Sequence, residues 1–122
     1  MNKKVKKTVL VVEDDLALLE ALELMLKDHY NVIKATNGKE AIKLYYTVKP
    51  DLVLTDIVMP EMDGIKATEE ILRNDPNAKI VGITAYYLSK EKDLINAGAK
   101  EVLEKPFTRR KLLETLDKYL QS

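Results

Sequence analysis

The sequence predicts an α/β domain in which one doubly wound parallel sheet of five strands carries helices on both faces. Three observations predict it. Short apolar runs alternate with helix-spaced patterns five times along 122 residues. Capping residues stand where those helices should begin. Residues able to do chemistry recur at the exits of the apolar runs rather than within them. Alternation of this kind calls for a parallel sheet buried on both sides, and right-handed crossovers bring all strand C-termini to one edge.

The elements follow in order. Val9 to Val12 is short and β-branched, which reads as a buried strand. Leu16, Leu19, Leu22 and Leu26, with Leu18 and Met25, keep helix spacing to about Asp28. Val32-Ile33 is a weaker strand. Asn37 to Glu40 has the form of a capping box, and the helix it opens should bury Ala41, Leu44, Tyr45 and Val48. Leu52 to Thr55 is the third strand. Asp63 is a plausible N-cap for a helix to about Arg73, and Asp75-Pro76-Asn77 is a turn. Ile80 to Ile83 is the fourth strand. Ser89 is placed to cap a fourth helix that Gly98 stops. Val102-Leu103 forms a short fifth strand. Thr108 caps a last helix that should bury Leu112, Leu113, Leu116, Tyr119 and Leu120.

Composition excludes several classes. Apolar residues make up 46%, too many for a disordered chain. Twenty basic and twenty acidic residues cancel, so no global field favours nucleic acid. Without cysteine, disulfides and thiolate zinc sites are out, and a reducing compartment, the cytoplasm, is expected. No apolar run approaches membrane-spanning length. The basic start, Met1 to Lys7, reads as a mobile lead into the first strand. His29 is the single histidine and has no metal-ligand partner in sequence. The glycines at 38, 64, 82 and 98 are too dispersed for a phosphate cradle.

Chemistry gathers at the strand exits. Glu13-Asp14-Asp15 follows the first strand, Asp56 ends the third, Thr84 follows the fourth and Lys105 the fifth. Open sheets place sites at that edge, near a topological switch point. Adjacent carboxylates repel, and a hard divalent cation relieves them; oxygen ligands suit Mg²⁺. Glu13, Asp14 and Asp56 supply three negative charges against three positive from Mg²⁺ and Lys105. Such a site is prepared for one more anion, such as a phosphoryl group whose oxygens need neutralising. A carboxylate is a known phosphoryl acceptor. Asp15 and Asp63, taken singly, read as helix N-caps.

The set Val11-Val12-Glu13-Asp14-Asp15, Asp51 to Pro60 with Met62-Asp63-Gly64, Ile83-Thr84-Ala85, Gly98-Ala99 and Lys105-Pro106-Phe107 resembles the receiver domain of two-component response regulators. The resemblance covers about residues 8–120. It implies a flavodoxin-like (βα)5 fold of strand order 2-1-3-4-5. It implies that Asp56 accepts a phosphoryl group from a histidine kinase or phosphotransfer protein, with Thr84 and Lys105 holding the phosphoryl oxygens. Mg²⁺ would be held by Asp14 and Asp56, by Glu13 through water, and by the Val58 backbone carbonyl. Lys105-Pro106 is often cis in the family. The expected assignment is a stand-alone receiver over 1–122 with no output domain. It would signal through protein contacts on the face made by helix 4, strand 5 and helix 5, and bind neither nucleic acid nor membrane.

The chain departs from the family at Val102, where an aromatic partner to the switch threonine usually stands. Tyr86 or Tyr87 is a candidate replacement. Val58 and Tyr86 should flank the path of an attacking water and slow hydrolysis. Arg109-Arg110-Lys111 opens the last helix against its dipole, either as a solvated run or as a docking patch. Two alternatives stand beside the main reading. A small aspartyl-phosphate hydrolase would commonly carry a second acid at the position of Val58. A degenerate binding module would have lost its chemistry.

Overall fold

The computed structural model describes residues 5–57, 63–85 and 91–121. Strands β1 (Thr8–Val12), β2 (Asn31–Ala35), β3 (Leu52–Asp56), β4 (Ile80–Ala85) and β5 (Glu101–Lys105) alternate with helices α1 (Leu16–Leu26), α2 (Gly38–Val48), α3 (Gly64–Asn74), α4 (Glu91–Ala97) and α5 (Arg109–Leu120). All strand pairs are parallel, and their order is β2-β1-β3-β4-β5. This is the doubly wound, flavodoxin-like sheet that the alternation and the resemblance led one to expect.

Two cores sit on the two faces, sorted by the twofold alternation of strand side chains. Val9, Val11, Leu52, Leu54, Val81, Ile83 and Leu103 point to one side and pack with Leu19, Leu22 and Leu26 of α1 and Leu112, Leu116 and Leu120 of α5. Leu10, Val12, Val53 and Ile80 point to the other side and meet α2, α3 and α4 through Ala41, Tyr45, Ile71 and Leu94. The three central strands are buried along almost their whole length, as continuous β-branched and aliphatic runs require.

The caps are as expected. Asp15 accepts from the backbone N–H groups of Ala17 and Leu18, Asp63 from Lys66 and Thr108 from Lys111. Asn37 accepts from the Glu40 N–H at 2.8 Å. Glu40 reaches back to the N–H of Thr36 at 2.7 Å, one residue earlier than a capping box predicts. Gly98, at φ 118°, ends α4. Its N–H donates to Ile95, and that of Ala99 donates to Leu94, the paired bonds that close a helix through a left-handed residue. Ser89, the expected cap of this helix, lies outside the described residues. Asp75 Oδ1 accepts from Asn77 N at 3.2 Å and forms the expected turn.

Some periodic positions are not buried. Leu16 is 67% exposed and Val48 40%. Leu16 stands in the first turn of α1, next to the open edge of the sheet. Val48 stands in the last turn of α2, just before Lys49 turns the chain at φ 54°. Leu44, Leu113 and Tyr119 are only partly buried. α1 stops at Leu26 rather than Asp28, and β2 is longer than Val32-Ile33. Among the described residues no helix is long and apolar enough to cross a membrane.

Candidate functional site

Register builds the site. β1 and β3 lie side by side with Val12 opposite Thr55, so the next residues, Glu13 and Asp56, leave the sheet together. That register is fixed at the far end by a reciprocal pair. Thr8 N donates to Asp51 Oδ2 at 2.7 Å, and Asp51 N donates to the Thr8 carbonyl at 2.8 Å. β5 delivers Lys105 on the same face as Leu103, the face that Val11 and Leu54 share. The structure thus brings Glu13, Asp14, Asp56 and Lys105 to one edge. One carboxylate oxygen from each of the three acids lies within 4.8 Å of the others.

The acids differ in their surroundings. Glu13 is 1% exposed and Asp56 8%, while Asp14 is exposed. Glu13 Oε2 accepts from Asp15 N at 3.0 Å. Its Oε1 has no hydrogen-bond partner and faces the Lys105 ammonium at 3.9 Å. Asp56 Oδ1 accepts from Ile57 N at 2.9 Å. Burial pushes the Glu13 carboxyl up to about 8, against the pull of the Asp15 N–H and with the charge of Asp56 adding to the rise. Burial also raises Asp56, opposed chiefly by Lys105 and the Ile57 N–H, while Asp14 adds repulsion. Both shifts have one cause: negative charge is crowded into a place with little water. A buried orphan oxygen beside two further carboxylates fits a small hard cation.

Asp56 is also held through its backbone. Thr55 Oγ1 donates to the Asp56 carbonyl at 2.9 Å, and the Gly64 N–H donates to the Ile57 carbonyl at 2.6 Å. A Cβ at position 64 would run into the Asp56 carbonyl oxygen and crowd Ile57 Cα at 3.0 Å. The close approach of α3 to the Asp56 peptide therefore requires glycine. The task of Gly64 is clearance.

Thr84 is fully buried and comes from the neighbouring strand, but its hydroxyl donates to the Ala85 carbonyl at 3.2 Å. Alternation puts it on the face of Gly82, opposite the face of Ile83. Lys105-Pro106 is cis. Val58, Tyr86 and Tyr87, the residues expected to supply a metal-ligand carbonyl, a replacement aromatic and the flanks of a water path, lie outside the described residues. Arg109 does not face the site: its Nε donates to the Met25 carbonyl of α1 at 3.2 Å. Arg110 pairs with Glu114 at 3.0 Å. His29 is exposed at the opposite edge of the sheet, where it lines an open cavity with Lys6, Tyr30 and Leu120.

Comparison with known proteins agrees with this geometry. The family model "Response regulator receiver domain" matches residues 9–117. The chemotaxis protein CheY of Thermotoga maritima is 43% identical over 116 residues, covering 92% of this chain and 96% of the relative. The receiver domain of a sensor histidine kinase from Pseudomonas aeruginosa, solved with a magnesium ion coordinated in its active site cleft, superposes with a TM-score of 0.89 at 30% identity, over 97% of this chain and 100% of that one. The CheY of a CheX–CheY–BeF3–Mg²⁺ complex from Borrelia burgdorferi superposes with a TM-score of 0.87 at 31% identity, over 95% and 90% of the two chains. With its strand order, its edge acids and its lysine, the chain belongs to the response regulator receiver domain family.

Proposed function

We propose that Asp56 is the phosphoryl acceptor of this CheY-like response regulator receiver, and that Glu13, Asp14 and Asp56 hold a Mg²⁺ ion beside it. The observation that carries this reading is the carboxylate cluster of two buried acids and one exposed, with an orphan Glu13 oxygen facing Lys105 at 3.9 Å. In the transfer, an Asp56 carboxylate oxygen attacks the phosphorus of a phosphohistidine. The P–N bond breaks as the P–O bond forms, and the imidazole leaves with the bonding pair and takes up a proton. Held by Glu13, Asp14 and Asp56, Mg²⁺ would supply neutralisation of phosphoryl oxygens, the part of the task that positioning alone does not meet.

The chain's own groups do the rest. Ile57 N–H fixes one Asp56 oxygen and leaves the other to attack. Lys105 turns from Glu13 to a phosphoryl oxygen when a cation takes over the acids. Thr84 exchanges the Ala85 carbonyl for another phosphoryl oxygen. The Val58 backbone carbonyl would complete the metal's ligands. Magnesium in the Pseudomonas cleft and beryllofluoride with magnesium in the Borrelia complex support the same assignment here.

The donor in this reading is a histidine kinase or phosphotransfer protein in the cytoplasm. The output is a protein contact on α4, β5 and α5, with no nucleic acid or membrane involved. It is a signalling protein that catalyses its own phosphorylation and dephosphorylation. The test is incubation with acetyl phosphate and Mg²⁺, read by intact mass and peptide mapping. A single, slowly hydrolysing phosphoryl group on Asp56, absent from Asp56→Asn and without Mg²⁺, is expected. Rapid multiple turnover would instead show a hydrolase, and no Asp56 adduct with acetyl phosphate or a kinase would overturn the reading.

A further inference from the structure

The edge of the sheet opposite the acids carries an open cavity of about 570 Å³, a size that suits a ligand. Three basic side chains, Lys6, Lys7 and His29, line it, and among the described residues no acid does. Backbone bonds fix the walls. Asn31 N donates to the Lys7 carbonyl at 2.9 Å and Asn31 Nδ2 to that of Lys6 at 3.3 Å, so the lead into β1 is tied to β2. The N–H groups of His29 and Tyr30 both donate to the Leu26 carbonyl at 2.9 Å, which closes α1 and keeps both rings at this edge. Gln121 N donates to the Asp117 carbonyl at 3.0 Å and closes α5.

Helix ends set part of the charge here. α1 and α5 both finish at this edge, and their last carbonyls carry partial negative charge. Two lysines answer it: Lys6 Nζ donates to the Lys27 carbonyl at 3.2 Å, and Lys79 Nζ to that of Tyr119 at 2.8 Å. Lys7 and His29 are exposed, and the ion pairs among the described residues involve neither. Their positive character is uncommitted. So is one donor. Among the described residues the hydroxyls of Tyr45, Tyr46 and Tyr119 each have an acceptor, and that of Tyr30 has none. Tyr30 is only 7% exposed, and a phenol so buried ordinarily finds a partner. Its oxygen is not sealed off; it reaches solvent where Tyr30 lines this cavity and the opening beside it. Burial, and after it the charge of Asp117, raise the phenol's pKa, so it remains a donor.

We infer that this cavity docks an acidic peptide segment of a partner protein, with a carboxylate of the segment against Lys7 and His29 and one of its backbone carbonyls accepting from Tyr30. Charge selects the acid, because the uncommitted groups on the wall are basic. The Tyr30 hydroxyl selects a neutral acceptor, because the charge of Asp117 opposes a second anion there. Glu114 and Asp117 line the adjoining opening together with His29 and Tyr30, which confines the carboxylate to the Lys7 side. A peptide supplies an anion and a carbonyl together, and an inorganic anion does not. Val5, 89% exposed, and Leu120 offer apolar surface to an aliphatic neighbour of the acid. A partner held at this edge leaves the edge of Asp56 open, so docking and phosphorylation do not compete.

The experiment titrates the blocked tetrapeptide acetyl-Leu-Glu-Leu-Glu-amide into the isotope-labelled full chain and follows amide NMR shifts. Saturable shifts centred on Lys6, Lys7, His29, Tyr30 and Gln121 are expected, and Asp56→Asn should show them unchanged. Lys7→Gln should weaken binding about threefold, and Tyr30→Phe about threefold to tenfold. Tyr30→Phe gives up no bond within the protein, so its melting temperature should match wild type. Both variants should keep the wild-type rate of phosphorylation by acetyl phosphate. The glutamine peptide acetyl-Leu-Gln-Leu-Gln-amide and inorganic phosphate should each bind about threefold more weakly or less. Absence of shifts at this edge overturns the inference, as does equal binding of the glutamine peptide or of phosphate, or unchanged affinity in both variants. Shifts at these residues that grow with protein concentration alone, and vanish in Lys7→Gln, would make the occupant a second copy of the chain and overturn it too.

Discussion

The Lys105 ammonium stands 3.9 Å from Glu13 Oε1, which among the described residues is the one buried carboxylate oxygen without a hydrogen bond. At that separation the pair is an ion contact and no hydrogen bond. Lys105 therefore balances the acids at rest without being committed to them, and a cation that takes over Glu13 frees it.

Stability should show this as a pH effect of unusual sign. Glu13 is raised from its ordinary 4.5 to about 8, and Asp56 is raised as well. A carboxyl raised on folding contributes stability below its unfolded pKa and loses it as pH climbs through the folded value. The metal-free protein should therefore lose melting temperature between about pH 4.5 and 8. Mg²⁺ should restore it most at the alkaline end. Thermal melts in chelator and in Mg²⁺ across this range measure both effects. In Glu13→Gln the chelator slope should flatten and the Mg²⁺ gain should shrink.

Gly64→Ala should disturb Asp56 without touching its carboxylate. The new methyl meets backbone, the Asp56 carbonyl and Ile57 Cα, neither of which can rotate away. A loss of about 1–3 kcal/mol, typical of overpacking, is expected in urea unfolding. The rate of Asp56 phosphorylation by acetyl phosphate should fall too. Unchanged stability would mean that α3 can retreat freely, and the clearance argument would then fail.

Tyr45→Phe separates stability from function. Tyr45 is buried, and its hydroxyl donates to Asp75 Oδ2 at 2.6 Å, tying the end of α2 to the turn after α3. Burial and this acceptor push the phenol's pKa up, so it stays a donor at any physiological pH. Loss of a hydrogen bond to a charged group costs about 1.5–3 kcal/mol, measurable by chemical denaturation. Phosphorylation and Mg²⁺ affinity should be unaltered, since neither residue approaches the edge acids.

Asp51→Ala removes the carboxylate that accepts from Thr8 N. A cost of about 1–3 kcal/mol follows from stranding that donor, less if water reaches it. Hydrogen exchange should locate the effect at the start of β1, with Mg²⁺ affinity falling by a smaller factor, because the remaining ladder keeps Val12 opposite Thr55.

The sequence made some of this legible and hid the rest. Strand and helix order could be read because apolar period and caps agree at four of the helices: Asp15, Asn37, Asp63 and Thr108 each start the helix they promised. Convergence of Glu13, Asp14, Asp56 and Lys105 could be read because a parallel sheet sends every exit to one edge. Leu16 and Val48 misled because periodicity states which face a residue is on, but not whether the sheet reaches that far along the helix. The work of Gly64 was hidden because a glycine's task depends on what approaches it, and the approaching atoms belong to residues on another element. Arg109 misled for a related reason: its long side chain turned to a carbonyl of α1 that no local pattern announces.

The β1–β3 register has a further consequence for how the protein acquires function. Glu13 follows β1 and Asp56 ends β3, the central strand of the sheet, and Asp51 locks to Thr8 across 43 positions of chain. Closing so long a loop is entropically costly and slow compared with forming any single helix. No local folding event can create the acidic cluster; it comes into being only when β1 and β3 have paired in their native frame. A slip of one residue would turn Glu13 away from Asp56 to the opposite face. A cation held at this edge would therefore report one pairing of β1 and β3, the native one, out of the many that an apolar strand would tolerate.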